Sequence, residues 1–258
     1  MIESLFSLKG KVCVVTGGSR GLGHHMAQAF LEAGAARVYI TARKAEPCQA
    51  AAKELSAYGD CIAVPSDVGT ADGIRKLVDA LGAKESQLDV LVNNAGTAWG
   101  APFGEFPENG WDKVMDLNAK SPFFLTQALT PLLKKGASAE NTAVVLNIGS
   151  IAGIIGSALD TFSYAASKAA LHQLTRILAT ELAESHIRVN AIAPGRFHSK
   201  MTDYVSPEDY ERECRGIPLH RWGKAPDIAG VALMLASQAG AFITGQIIVV
   251  DGGTSLAR

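Results

Sequence analysis

Of its 258 residues, the chain has few cysteines, almost no net charge and only one apolar run long enough to raise the question of a membrane. Its four cysteines, Cys13, Cys48, Cys61 and Cys214, are scattered without a CxxC spacing, so neither a disulfide framework nor a metal site is expected, and a reducing cytoplasm fits best. The formal charge of -1 and a pI near 6.6 exclude a global positive field that would draw the molecule to nucleic acid or an anionic membrane. Met1 to Gly10 lacks a basic region followed by a continuous apolar stretch and does not read as a secretion signal. The apolar run Val231 to Val250 is interrupted by Ser237, Gln238, Thr244, Gln246 and the two glycines Gly240 and Gly245, which predicts a helix followed by a buried strand. No membrane partner follows. Small molecules remain as the expected ligands.

Short β-branched runs alternate with helical patterns, which predicts an α/β protein with a parallel sheet covered by helices on both faces. The strand candidates are Lys11 to Thr16, Arg37 to Thr41, Asp60 to Pro65, Leu88 to Asn93, Ala143 to Ile148, Ile187 to Ala193 and Gln246 to Val250. Helical patterns begin near Leu22, Ala45, Thr70, Pro107, Thr161 and Ala225, with apolar residues recurring at three and four. Runs such as Val144-Val145-Leu146 do not alternate, as expected of strands buried on both sides. No repeat or linker divides the chain, so 1–258 is expected to be one doubly wound seven-stranded Rossmann domain. Arg196 to Pro218 is charged, rich in turn residues and long for a connection, which marks it as a candidate lid.

Thr16-Gly17-Gly18-Ser19-Arg20-Gly21-Leu22-Gly23 follows the first strand and opens the first long helix, the context that a dinucleotide fingerprint requires. Glycines there let the backbone turn sharply and approach a pyrophosphate, while free N–H groups and the helix dipole supply positive potential. At the end of the second strand, where a carboxylate would bind the ribose hydroxyls of NAD, the chain has Thr41-Ala42-Arg43. Arg43 and Arg20 are suited to pair with a 2'-phosphate, which selects NADPH over NADH; the plainer alternative is that both are solvated surface charges.

Tyr164-Ala165-Ala166-Ser167-Lys168 falls in a predicted helix, where residues four apart share a face about 6 Å along the axis. A phenol with a pKa near ~10 becomes a better acid if a cation stabilises its anion. At ~4 Å and an effective dielectric of ~20 the attraction is about 4 kcal/mol, which predicts a phenol pKa lowered by roughly three units. Ser150, in Asn147-Ile148-Gly149-Ser150, lies at the carboxyl end of a predicted strand, where open parallel sheets place ligands. A tyrosine and lysine four apart are ordinarily surface neighbours, and a serine after a strand is ordinarily a turn residue. Their joint appearance, in order behind the glycine turn, argues for one site.

The glycine turn, Asn93-Asn94-Ala95-Gly96, Ser150, the Tyr164 and Lys168 pair and Pro194-Gly195 together resemble the short-chain dehydrogenase/reductase family over nearly the whole chain. The resemblance implies that Ser150, Tyr164 and Lys168 form the catalytic set, with Asn118 holding a water that relays protons to the lysine. It implies that Asp67 and Val68 border adenine and that Asn94, Ala95 and Gly96 line the cofactor cleft. Pro194, Gly195, Phe197 and Ser199 would hold the nicotinamide carboxamide. Within the family, Leu55 to Cys61, Gly96 to Gly100, Ala193 to Phe197 and Arg221-Trp222-Gly223 are most similar to bacterial 3-oxoacyl reductases, in particular the type associated with rhamnolipid biosynthesis.

That resemblance implies an NADPH-dependent ketone reduction on a 3-oxoacyl thioester and a homotetramer (or homodimer) built on Trp111 to Leu133 and Thr161 to Glu184. An acyl chain would suit Trp99, Phe103, Ile151, Ile154, Ile155 and Phe197 if their loops converge. An acidic acyl carrier protein would need a basic rim, for which Lys134, Lys135, Arg196, His198 and Lys200 are candidates. Glu184-Ser185-His186 stands where carrier-protein reductases often place a basic residue, so a free or coenzyme A-linked ketone stays open. Two other readings are an NAD(P)-dependent alcohol or polyol dehydrogenase, which the missing acidic residue disfavours, and an NADP-sensing regulator, which would have no need of a full catalytic set.

Overall fold

A computed structural model describes residues 1–156, 160–198 and 205–256. The chain opens with a short helix, α1 (Ile2–Leu5), and then alternates β1 (Val12–Thr16), α2 (Gly21–Glu32), β2 (Arg37–Thr41), α3 (Ala45–Leu55), β3 (Cys61–Ala63), α4 (Ala71–Gly82) and β4 (Val90–Asn93). Helices α5 (Glu108–Met115) and α6 (Ser121–Gly136) follow, joined by a π-turn at Asp116–Lys120, then β5 (Ala143–Ile148), α7 (Phe162–Leu182) and β6 (Ile187–Pro194). The chain continues through α8 (Pro207–Gly216) and α9 (Ala225–Ala236) to β7 (Ile247–Val250). All seven strands pair in parallel in the order β3-β2-β1-β4-β5-β6-β7, a doubly wound Rossmann sheet.

The non-alternating strands are explained by burial on both faces. Cys13 and Val15 of β1, with Val144, Leu146 and Ile148 of β5, pack against Met26, Phe30, Leu55, Ile228 and Leu235 of α2, α3 and α9. Val12 and Val14, with Ala143 and Val145, face Leu77, Leu81, Leu125, Leu129, Leu133 and Leu182 of α4, α6 and α7. Most strand residues thus serve one core or the other, so consecutive positions are apolar except where a buried polar side chain such as Asn93, Asn147 or Asn190 finds hydrogen-bond partners. Cys13, Cys48 and Cys61 are buried in the first of these cores, and burial holds their thiols above the usual range.

The predicted order of elements holds, and the differences are local. Asp60 to Pro65 shortens to Cys61–Ala63, and Leu88 and Asp89 precede β4 because the Asp89 carboxylate turns back to accept from the Val12 N–H at 2.9 Å. The single helix expected over Trp111 to Leu133 runs through that span, with one turn widened to a π-turn. The stretch proposed as a lid holds α8, which sequence reading overlooked although Ser206-Pro207-Glu208-Asp209 is a helix start: Ser206 Oγ accepts from the Asp209 N–H at 3.1 Å, with Pro207 at the first position. Val231 to Val250 divides between the end of α9, a turn and β7, and among the described residues no helix is long and apolar enough to cross a membrane.

At the amino ends of the strands, Lys11 Nζ donates to Asp89 Oδ1 at 3.1 Å and to Asn141 Oδ1, and Asp89 is 1% exposed. Asp89→Ala would leave the Val12 N–H and the lysine amine without their carboxylate. Urea unfolding should show a loss of about 3 kcal/mol, the usual cost of breaking a buried charged pair.

Candidate active site

The strand order reverses direction between β1 and β4, and the groove at their carboxyl ends is where open α/β sheets bind ligands. Thr16 closes its inner end: its Oγ1 accepts the N–H groups of Asn94 and Ala95, each at 2.9 Å. Asn94 Nδ2 donates to the Thr16 and Gly17 carbonyls at 2.8 and 3.2 Å. The turn from Gly17 to Arg20 is thereby locked to the end of β4. Gly17 (φ 66°) and Gly21 (φ 57°) adopt left-handed backbone that glycine favours. At Gly23 a side chain has no room, since a Cβ would lie 2.5 Å from Asn94 Nδ2 and 2.6 Å from the Gly17 carbonyl oxygen.

Helix α2 starts at Gly21 with no side-chain cap at Arg20, so its first N–H groups stand ready for an anion. Gly18 N–H donates to the Thr41 carbonyl at 3.3 Å, which draws the glycine turn to the end of β2. Arg20 and Arg43 are exposed there, and neither joins an ion pair among the described residues. Ser66 N–H donates to the Ala42 carbonyl at 3.1 Å, bringing Asp67 and the buried Val68 to the same edge as Arg43. Asp67 Oδ1 accepts from the Gly69 N–H at 3.1 Å, which shapes the turn into α4. Leu22 packs on the core beneath α2, and Ser19 lies in the turn itself. This donor set suits the diphosphate and 2'-phosphate of a dinucleotide.

Ser150 extends from β5, its Oγ accepting from the Ala152 N–H at 3.1 Å and bonded also to the Tyr164 side chain. One turn along α7, the Lys168 amine lies 5.6 Å from the Tyr164 ring centroid and donates to the Ile148 carbonyl at 2.7 Å. Lys168 is buried, and burial pulls its pKa down to about 8. Burial likewise raises the Tyr164 phenol above its ordinary value, with the Ser150 hydrogen bond and the Arg196 charge opposing. This corrects the expectation of a phenol acidified by its lysine: the amine turns to a carbonyl and is itself destabilised as a cation, so desolvation dominates for both groups. Arg196, absent from the expected set, is the cation that acts on the phenol, and its guanidinium pairs with Glu213 of α8 at 3.0 Å.

Asn118 sits in the π-turn, buried, its Oδ1 accepting from the Thr97 N–H and its Nδ2 donating to the Thr97 carbonyl, both at 2.9 Å, and to Ser167 Oγ at 3.0 Å. It therefore ties the loop after β4 to α7. A Cβ at Gly96 would lie 3.3 Å from Asn118 Oδ1 and 3.6 Å from Lys168 Nζ, so Gly96 leaves the approach between them open. Pro194 ends β6, and the Gly195 N–H donates to the Val250 carbonyl at 2.9 Å. Phe197 is buried against Gly223, where a Cβ would fall 2.4 Å from the ring. Ser199 and Lys200 lie outside the described residues.

The six apolar residues expected at an acyl pocket do not all converge. Phe197 is core, Trp99 stacks on Gly110 beneath the Lys113 amine, and Phe103 is 85% exposed with its edge on Phe162. Ile151, Ile154 and Ile155 follow Ser150 directly in the chain, with Ile154 exposed. Of the expected basic rim, Lys134 and Lys135 lie away from the site, whereas Arg196 and His198 follow the end of β6. Lys134 and Lys135 end α6 beside Leu88, at the amino ends of the strands and thus across the sheet from Ser150. Arg196 is paired with Glu213, and His198 stacks with Tyr210 and Trp222.

The depressed Lys168 pKa has a measurable sign. Between about 8 and the ordinary value of 10.5 the native state has released a proton that the unfolded chain still binds, so this residue's penalty on stability is full below that window and fades as pH rises through it. The unfolding free energy of the wild type minus that of Lys168→Met should therefore rise from pH 8 to pH 10.5; a flat difference would contradict the buried amine.

The fold and the site together agree with comparison to known proteins. A family profile described as enoyl-(acyl carrier protein) reductase matches residues 17–255. The rhamnolipids biosynthesis 3-oxoacyl-(acyl-carrier-protein) reductase of Pseudomonas aeruginosa is 53% identical over 253 residues, covering 97% of this chain and 98% of that protein. The 3-oxoacyl-(acyl-carrier-protein) reductase FabG of Thermotoga maritima is 36% identical over 247 residues, covering 95% and 98% respectively. Among solved structures, the Pseudomonas aeruginosa RhlG/NADP active-site complex superposes with a TM-score of 0.95 at 52% identity, covering 98% of this chain and 99% of that one. With its glycine turn, its serine, tyrosine and lysine in one site and a matching profile over most of its length, the chain belongs to the short-chain dehydrogenase/reductase family.

Proposed function

We propose that this oxidoreductase uses NADPH to reduce a 3-oxoacyl thioester, carried on acyl carrier protein or coenzyme A, to the 3-hydroxyacyl form. The observation that carries the chemistry is the hydrogen-bonded pair of Ser150 and Tyr164 side chains above the buried Lys168, at the carboxyl end of β5 beside the switch-point groove. The substrate class is supported by the two 3-oxoacyl reductases that the chain resembles over almost its full length.

When bound, NADPH supplies the hydride. The uncapped first turn of α2, with Gly17, Ser19, Gly21, Leu22 and Gly23, would hold its diphosphate, and Arg20 and Arg43 its 2'-phosphate. Asp67 and Val68 would border the adenine; Asn94, Ala95 and Gly96 the middle of the groove; Pro194, Gly195, Phe197 and Ser199 the carboxamide end. The two hydroxyls of Ser150 and Tyr164 converge on one point, which is where a ketone oxygen is held and where negative charge develops. A raised phenol pKa keeps Tyr164 protonated at neutral pH, so the acid is loaded before the ketone arrives. Tyr164 gives its proton to that oxygen. Lys168, with a pKa of about 8, sits close enough to neutrality to pass a proton on, and Asn118 at the far side of the Gly96 opening would position the relaying water.

The segment from Arg196 to Pro218, with Arg196 at its start paired to Glu213 of α8 within it, is our candidate for a substrate lid. The part-exposed Trp111, Phe124 and Ile177 on α5, α6 and α7 support assembly as a homotetramer, and the protein would work in the cytoplasm.

Tyr164→Phe should lower kcat for a 3-oxoacyl thioester by about a hundredfold or more while leaving the NADPH dissociation constant within about twofold. Stopped-flow absorbance and calorimetry measure the two quantities, and near-normal turnover would remove Tyr164 as the acid. Arg43→Ala should weaken NADPH about tenfold, the worth of a charge-assisted hydrogen bond, with NADH little changed. Equal losses for the two nucleotides would reject the phosphate role.

A further inference from the structure

Four buried side-chain atoms among the described residues lack a hydrogen-bond partner: Ser163 Oγ, His172 Nε2, Glu213 Oε2 and Trp222 Nε1. His172 is the one that stands behind the catalytic serine. It is 3% exposed and lies on α7 one turn beyond Lys168 and two beyond Tyr164, so the three side chains project from one stripe of the helix. Its Nε2 fills the space that a side chain at Gly149 would take, since a Cβ there would lie 2.1 Å away. The imidazole also lies within hydrogen-bonding reach of the Gly153 carbonyl.

Gly149 and Gly153 bracket Ser150. On the other side of Gly149 its N–H donates to the Ile192 carbonyl at 2.7 Å, so this peptide is held between β6 and the imidazole. A Cβ at Gly153 would lie 2.7 Å from the Ala169 nitrogen and from the Lys168 carbonyl carbon, so the turn after Ser150 rests flat on the backbone of α7. Lys168 pins the Ile148 carbonyl just before this stretch. Burial, aided by the charges of Lys168 and Arg176, lowers the His172 pKa to about 4, so the ring is neutral at working pH and adds no second charge against Lys168. An apolar side chain of similar size would fill the same volume without leaving a buried nitrogen unpartnered, so packing alone gives no reason for an imidazole here.

We propose that His172 is a positioning residue, whose ring seats Gly149 and Gly153 and thereby sets the rotation of the Ser150 peptide that aims Oγ at the Tyr164 hydroxyl. This rests on the reading of Ser150 as a holder of the ketone oxygen. The role is one of geometry: the ring touches neither substrate nor cofactor, and it acts on the reaction only through the serine.

The test compares His172→Leu, His172→Asn, His172→Ala, Gly149→Ala and the double variant Gly149→Ala/His172→Ala in the full-length protein. His172→Leu should keep or raise the thermal midpoint while kcat falls about tenfold and NADPH affinity stays within about twofold, because a small misplacement of a reacting group costs rate rather than cofactor binding. His172→Asn, which can still donate toward Gly153, should recover part of that loss. Gly149→Ala should lose more than His172→Leu, and removing the imidazole in the double variant should restore activity above the Gly149→Ala level. Wild-type kcat in His172→Leu, or parallel loss of kcat, NADPH affinity and midpoint, overturns the proposal; so does a double variant as poor as the product of its singles. If Gly149→Ala does not fold, the Leu and Asn variants decide alone. Failure of the parent reading would look different, with wild type and Ser150→Ala equally inactive on 3-oxoacyl thioesters of every chain length. The same variants are then compared on the ketone that the wild type reduces fastest.

Discussion

An ammonium group taken out of water, with one carbonyl for company, is the constraint around which this site is built. Lys168 donates to Ile148 from inside the layer between α7 and the sheet, and both its position and its depressed pKa follow from that burial. A buried cation is tolerated only where polar groups surround it. Here they are the end of β5, the Asn118 side chain across the Gly96 opening and the phenol one turn back. The same arrangement brings a serine hydroxyl and a tyrosine hydroxyl together, so the dipoles that surround the lysine and the two hydroxyls proposed to hold a ketone belong to one set of atoms.

The second organising contact is the fork of β1 and β4. Asn94 donates to Thr16 from its N–H and its side-chain amide across it, and Gly23 is pressed so closely against the fork that the helix start is fixed relative to the strands. Dipoles held in this way need not reorganise when an anion arrives, which is the source of their value in binding and catalysis. Deeper in the sheet, Asn93 Nδ2 donates to Asn147 Oδ1 at 2.9 Å and Asn147 Nδ2 to Thr175 Oγ1 at 2.9 Å. This buried amide chain links β4 to β5 and on to α7.

Much of this was legible in the sequence because the chemistry is written locally. The glycine turn, Asn94 to Gly96, Ser150 and the Tyr164 and Lys168 pair are each defined within a few residues, and strand order then delivers them to one edge. What sequence spacing does not carry is burial. Four-residue spacing placed the lysine near the phenol, yet the sign of the phenol shift depends on how many protein atoms exclude water, and desolvation outweighed the expected attraction. Spacing also does not tell which end of a helix faces the site: Lys134 and Lys135 end α6 on the wrong side of the sheet. Arg196 was assigned to a possible rim, whereas its charge acts on Tyr164 and its guanidinium is held by Glu213 from a helix that the sequence reading had not recognised. Nothing in the spacing along α7 signals that His172 meets Gly149, a contact made only in the folded chain.

The π-turn at Asp116–Lys120 has a geometric effect on everything after it. One added residue in a helical ladder rotates the following turns by about 100° relative to the preceding ones. On α5 the inward residue is Val114, and on α6 it is the stripe Leu125, Leu129 and Leu133; the offset between them makes room for Asn118 to turn inward as well. In a regular helix over the same span Asn118 would share one stripe with Leu125, Leu129 and Leu133, so the amide and the leucines would face one direction. By spending one residue on a wider coil, the chain separates the two, and the polar centre and the oily underside of the sheet can be altered independently of one another.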